Sequence, residues 1–188
     1  MPELRQYSQV VRGSLALQPA GTIWTVGHST HPIREFTDIL ASQGLTMIAD
    51  VRRHAGSRTF PQFNPENLAT SLAATGIQYM PLPDLGGRRR PRPDTRHTAW
   101  RNESFRGYAD YMDTAEFASA AERLATIARE DRVAIMCSEA VWWRCHRSMI
   151  ADYFKAHHWV VFHILGTADP KEHPYTQVAR IVDGVLTY

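Results

Sequence analysis

Cys137 and Cys145 are the only two cysteines of the chain. They stand together in the stretch Met136–Arg147 with Glu139, Arg144, His146 and Arg147. These residue types can supply a nucleophile, a proton-transfer group and an anion clamp. A thiol that ends a strand ahead of a helix has free backbone N–H groups and the positive helix end beside it, which favour thiolate and anions. Cys137 is therefore read as a nucleophilic or redox thiol, with Arg144 and Arg147 favouring its ionised form. Glu139 and His146 are the candidates for moving its proton. Arg147 is read as a bidentate grip on a phosphate or carboxylate. Cys145, at the helix start, is read as a packing residue. The competing reading of Cys137 is a small apolar side chain at a strand end.

Two thiol–phosphate templates fail in detail. A phosphatase-type loop needs five residues between Cys and Arg, but Arg144 lies one place too far from Cys137. A sulfurtransferase loop is built from small residues, whereas Trp142-Trp143 is bulky. No cofactor is expected. Zinc or iron held by Cys137, Cys145 and His146 is the rival reading, although no C-x-x-C pair is present and the spacing matches no familiar zinc pattern. There is no G-x-G-x-x-G run and no Walker lysine, which argues against dinucleotide and P-loop functions.

The elements that must position these groups follow a strand–helix rhythm. Apolar runs at Thr22–Val26, Thr46–Val51, Ile77–Leu82, Val133–Met136 and Trp159–Leu165 read as strands. Between them lie a helix after Pro32 stopped at Gly44, one opened by Asn64-Pro65-Glu66 and stopped at Gly76, and a long one from about Tyr108 to Arg129 with a break near Thr114. A further helix is expected over Cys145–His157. The tail is expected to form a short helix around Thr176–Ile181. Five alternations predict a three-layer, Rossmann-like α/β sandwich with a mainly parallel sheet of about five strands. Residues 1–21 read as an N-terminal arm, and residues 22–188 as a single domain.

Right-handed crossovers bring all strand C-termini to one edge. The unusual polar residues cluster there: Gly27, His28 and Ser29; Asp50 and Arg52; Gly86 and Gly87; Cys137 and Glu139; His163. Gly27, His28, Ser29, Arg52, Ser57, Arg58, Gly86, Gly87 and Arg147 are therefore assigned to substrate binding. Cys137, Glu139, His146 and Asp50 are assigned to catalysis. Asp50 and Arg52 share one side of a strand and can pair, which leaves a plain salt bridge as the competing reading.

Composition narrows the partners. The net charge is only +2, yet segment 88–106 gathers Arg88, Arg89, Arg90, Arg92, Arg96, Arg101 and Arg106, with Trp100 and Phe105 among them. An anionic small molecule or a nucleic acid is the expected partner. The alternatives are a non-catalytic nucleic-acid-binding module and a solvated loop. No apolar run is long enough to cross a membrane and no secretory signal pattern is present. Two lone thiols suit a reducing cytoplasm.

Several motifs in order carry a resemblance. They are Thr25-Val26-Gly27-His28-Ser29, Asp50-Val51-Arg52 with Ser57-Arg58, Leu82-Pro83 with Leu85-Gly86-Gly87, and Gly107-Tyr108-Ala109-Asp110-Tyr111-Met112. Met136-Cys137-Ser138-Glu139 and Cys145-His146-Arg147 complete the set. The chain resembles the DUF488 family over about Thr22 to Gly166, departing from it at Trp142, where members carry a small residue or proline. The resemblance implies an α/β fold and a site around Cys137, Glu139, Cys145, His146 and Arg147. It implies no particular reaction.

Overall fold

The computed structural model describes residues 18–188, so most of the expected N-terminal arm, residues 1–21, lies outside the described residues. Five parallel strands form the sheet: β1 (Thr22–Gly27), β2 (Met47–Asp50), β3 (Gln78–Pro81), β4 (Val133–Cys137) and β5 (Val160–Ile164). An antiparallel edge strand, β6 (Lys171–Glu172), makes a sixth, in the order β3-β2-β4-β1-β5-β6. The fold is thus a Rossmann-like α/β sandwich with a mainly parallel sheet.

Alternation along the strands separates two cores. Trp24, Val26, Ala134 and Met136 face α1 (Ile33–Ser42) and α2 (Pro65–Ala73). Ile23, Val133, Ile135 and Cys137 face the layer that carries α3 (Glu103–Met112), α4 (Ala115–Ala128) and α5 (Arg147–Ala156). In α1 the 3.6-residue spacing buries Phe36, Ile39 and Leu40, at about 1.5–3 kcal/mol per side chain.

The helical stretch expected over 108–129 with a break near Thr114 is two helices divided there. Asn102 caps α3 by accepting the Ser104 and Phe105 N–H groups, and Thr114 caps α4 by accepting the Phe117 N–H. These caps satisfy helix-end donors that a continuous helix would not expose. Gly107 sits inside α3 because the backbone of the Arg-rich segment crosses there; a Cβ would lie 2.5 Å from the Arg89 carbonyl oxygen.

The expected tail helix is replaced by strands β7 (Arg180–Val182) and β8 (Val185–Thr187). Asp183 and Gly184 both have positive φ, 50° and 79°, the Asp-Gly turn that closes a two-residue hairpin. Asp152, fully buried on α5, instead anchors this segment by accepting both the Thr176 N–H and its hydroxyl. The same carboxylate accepts from Tyr188 Oη and from His173 Nε2. A buried chain continues from His173 Nδ1 to His163 Nε2 and from His163 Nδ1 to Thr25 Oγ1, at 2.8 and 2.7 Å. His163, expected at the site edge, is thus a buried strut. Burial, then His173 and Arg147, lower its pKa to about 2. Among the described residues no helix is long and apolar enough to cross a membrane.

Candidate functional site

The chain leaves β1 over the α1 face and leaves β4 toward α5 over the other face. Gly27 and Cys137 are register partners at the ends of these adjacent strands. A crevice at such a switch point is the ordinary ligand position in open α/β sheets. A cavity of about 260 Å³ lies there. Its walls come from the β2 end (Arg52, Arg53, His54), Gly87 and Arg88 after β3, and Asn102, Ser104 and Phe105 around the start of α3. Cys137, Ser138 and Glu139 after β4, and Arg144, Cys145 and His146 before α5, complete it.

At its base, the ligand-capable atoms of Cys137, Cys145 and His146 all lie within 4.8 Å of one another. His146 Nε2 is 3.1 Å from the Val51 carbonyl oxygen. A carbonyl only accepts, so Nε2 carries the proton and Nδ1 keeps its lone pair. That Nδ1 is 3.6 Å from Cys145 Sγ. Gly87 keeps the ring in place, since a Cβ there would stand 2.8 Å from Nδ1.

The two thiols differ in their surroundings. Cys145 is lowered from 9.0 to about 6 by the neighbouring Cys137 thiol and by Arg147, whose Nε donates at 3.4 Å, against the opposing effect of burial. Cys137 is raised to about 12, because the Cys145 thiol lies beside it and because it is buried. Arg147 thus favours the ionised form of Cys145 over that of Cys137, although Cys145 is also buried in the core. The electrostatics thus favour ionisation at Cys145 over the expected Cys137.

Arg147 is likewise not an anion clamp at the cavity. It is 1% exposed, and its donors serve Cys145 Sγ and the Glu139 carbonyl oxygen. Asp50 is not placed for catalysis. Its carboxylate is saturated by the Arg52 N–H, Nε and Nη2 and by the Tyr79 hydroxyl, at 2.6 to 3.0 Å. The salt-bridge reading of Asp50–Arg52 is the observed one.

Arg52 reaches the cavity, but its remaining donors go to the Phe63 carbonyl and to His28 Nε2. His28 does not line the cavity. It stacks on Phe63 at 4.0 Å and donates from Nδ1 to the Ser29 carbonyl. Burial, only partly offset by that bond, lowers its pKa to about 4, so the neutral ring supports Arg52. Gly27 and Ser29 brace the cysteine loop and do not line the cavity. A Cβ on Gly27 would fall 1.9 Å from the Glu139 carbonyl oxygen, and the His28 and Ser29 N–H groups donate to the Cys137 and Ser138 carbonyls.

Ser57 orders its own loop through Asn64 and Phe60, and Arg58 is exposed away from the cavity. Gly86 lets Arg53 approach, and only Gly87 of that pair lines the cavity. Glu139 and His146 lie where expected. Sequence reasoning missed Arg53, His54, Arg88, Asn102, Ser104, Phe105 and Ser138 as cavity residues. The contiguous Arg52-Arg53-His54 run after a strand was the available signal for the first two. Among the described residues no carboxylate pairs with Arg53, Arg88 or Arg144.

Fold and site together define a parallel α/β protein with a paired-thiol, histidine and arginine cavity at the carboxyl edge of its sheet. A family profile described as "Domain of unknown function DUF488" matches residues 32–154, and the chain belongs to that family. No curated protein and no solved structure matches it.

Proposed function

We propose that the protein is a thiol-dependent hydrolase or transferase acting on a phosphate-containing anionic substrate. The observation that carries this reading is the Cys145 sulfur, which accepts from Arg147 Nε at the base of an arginine-lined cavity. A thiolate so stabilised is a competent nucleophile at neutral pH. Arg53, Arg88 and Arg144 hold the anionic group, and Arg52 adds a fixed positive wall. Cys145 attacks the electrophilic centre, and the leaving group departs with a proton from the Cys137 thiol. Glu139, at the cavity wall, activates the water or acceptor that releases the product from sulfur. The unpaired thiols favour the reducing cytoplasm as its location.

The test is site-resolved alkylation by iodoacetamide at pH 7, with and without inorganic phosphate or a nucleoside monophosphate. The expected result is rapid labelling of Cys145 over Cys137, slowed by the anion. Equal, slow labelling of both thiols would remove the nucleophile from the reading.

A second reading has its own observation. Cys137, Cys145 and His146 converge closely, and the His146 Nε2–H bond to a backbone carbonyl is the arrangement ligating histidines adopt. Zinc or iron would then be held by two thiolates and Nδ1, with a coordination position open to the cavity. Metal analysis of untagged protein decides: about one equivalent, lost in Cys145→Ala, supports it, and metal-free active protein refutes it.

A further inference from the structure

We infer that the substrate is a single-stranded nucleic acid whose phosphates follow the arginine segment and whose bases stack in an aromatic groove beyond the thiol cavity. This rests on the proposed function, because it names the substrate class of that same site.

Size is the first reason. Ligand cavities ordinarily run from roughly 300 to 1,000 Å³. The thiol cavity, about 260 Å³, is below that. It admits the reacting part of a substrate, and the remainder must lie outside. Two surfaces adjoin it. One, of about 460 Å³, shares Arg53 and Arg88 with the thiol cavity and adds Arg89, Arg90 and Arg92. Arg89 and Arg92 are committed, to Tyr111 and to Asp110 and Asp113. Arg88 and Arg90 are exposed, and no acid pairs with either among the described residues.

The second surface, of about 560 Å³, is aromatic: Trp100, Trp142, Trp143 and Tyr175 line it. It is joined to the thiol cavity in two ways. Trp142, Trp143 and Arg144 form one 3₁₀ turn whose last residue lines the cavity, and Trp100 stacks on the cavity residue Phe105 at 4.7 Å. Trp142 is held rigid by parallel stacking on His163 at 4.1 Å, while Trp143, set edge-on to it, is 51% exposed and Tyr175 is 39% exposed. Fixed and exposed rings beside uncompensated arginines are the elements from which strand-binding grooves are built, each base stacking while the backbone tracks positive charge. A protein partner would match the rings but not the run of arginines, and inorganic polyphosphate would match the arginines but not the rings.

The experiment is fluorescence anisotropy of the full chain with labelled oligothymidylate roughly 12 nucleotides long, across a salt series. Inorganic polyphosphate serves as competitor, and Cys145 alkylation is followed in parallel. Trp143→Ala should weaken binding roughly 5- to 150-fold, the loss expected for one stacked base. Arg90→Ala should flatten the log–log salt slope by about 0.7, one phosphate contact on a single strand. Both side chains are exposed and outside the thiol machinery, and circular dichroism checks their folding. Absent oligonucleotide binding, or binding displaced equally by polyphosphate and indifferent to Trp143→Ala, overturns the inference. If phosphate still protects a reactive Cys145 in that case, the proposed function stands alone. Strand binding by a protein with an inert Cys145 supports the surface and removes the enzyme.

Discussion

Replacing Arg147 by methionine tests the thiol chemistry directly. Arg147 Nε stands 3.4 Å from Cys145 Sγ. At an effective dielectric near 20, unit charges about 4 Å apart interact by about 4 kcal/mol. That is roughly 3 pKa units at 1.36 kcal/mol each, and an opposite charge this close ordinarily shifts a pKa by about 1–3 units. Cys145, now near 6, should rise to the region of about 8 in the variant. Its thiolate fraction at pH 7 would fall from about nine-tenths to about one-tenth. Peptide-resolved iodoacetamide labelling across pH measures this: the midpoint moves upward, and the rate at pH 7 drops about tenfold. The plateau well above both midpoints should be unchanged if the loop stays intact, which separates lost charge from lost folding. A wild-type midpoint at the ordinary thiol value, or a variant midpoint still near 6, would refute the assignment of Cys145 as the thiolate.

Cys137→Ala removes the neighbouring thiol and should also raise the Cys145 midpoint, whereas Cys137→Ser, which keeps a hydroxyl in its place, should preserve most of it; the same labelling reads both. Gly27→Ala forces a Cβ against the Glu139 carbonyl oxygen, so chemical denaturation should show a loss of a few kcal/mol together with slower Cys145 labelling. His28 binds its proton less readily folded, near 4, than unfolded, near 6.5, so its contribution is complete above pH 6.5 and is lost as pH falls toward 4. That loss is at most about 3 kcal/mol. Urea midpoints at pH 7 and 4.5 should show it, and His28→Gln should reduce the slope while His163 keeps its own share. Asp152→Ala strands two buried donors, on His173 and Tyr188, and two half-buried ones on Thr176 and should cost about 3–5 kcal/mol by the same assay, against little change for an exposed pair such as Arg129–Glu122.

The alternation of apolar runs and helix signals was enough to place β1 to β5 and the edge where the site sits, because local periodicity and right-handed crossovers decide both. The split at Thr114 was visible for the same reason, as a local capping residue. Which thiol ionises was not visible. It depends on Arg147 turning back onto Cys145 and on the distant Val51 carbonyl fixing the His146 tautomer. His28 and Asp50 attracted functional readings as polar residues at strand ends, yet both are spent on holding Arg52. The tail was misread because its Asp-Gly turn signal at Asp183-Gly184 was overlooked.

The buried Asp152 also bears on how the chain acquires its structure during synthesis. Its acceptors are filled by His173, Thr176 and Tyr188, all of which leave the ribosome after α5 and β5. Until they arrive, α5 presents an unpaired carboxylate toward the interior, and packing it there is costly. The cysteine motif is joined directly to that helix. The Cys145 thiol is therefore expected to take up its final environment only after His173, Thr176 and Tyr188 have closed over Asp152.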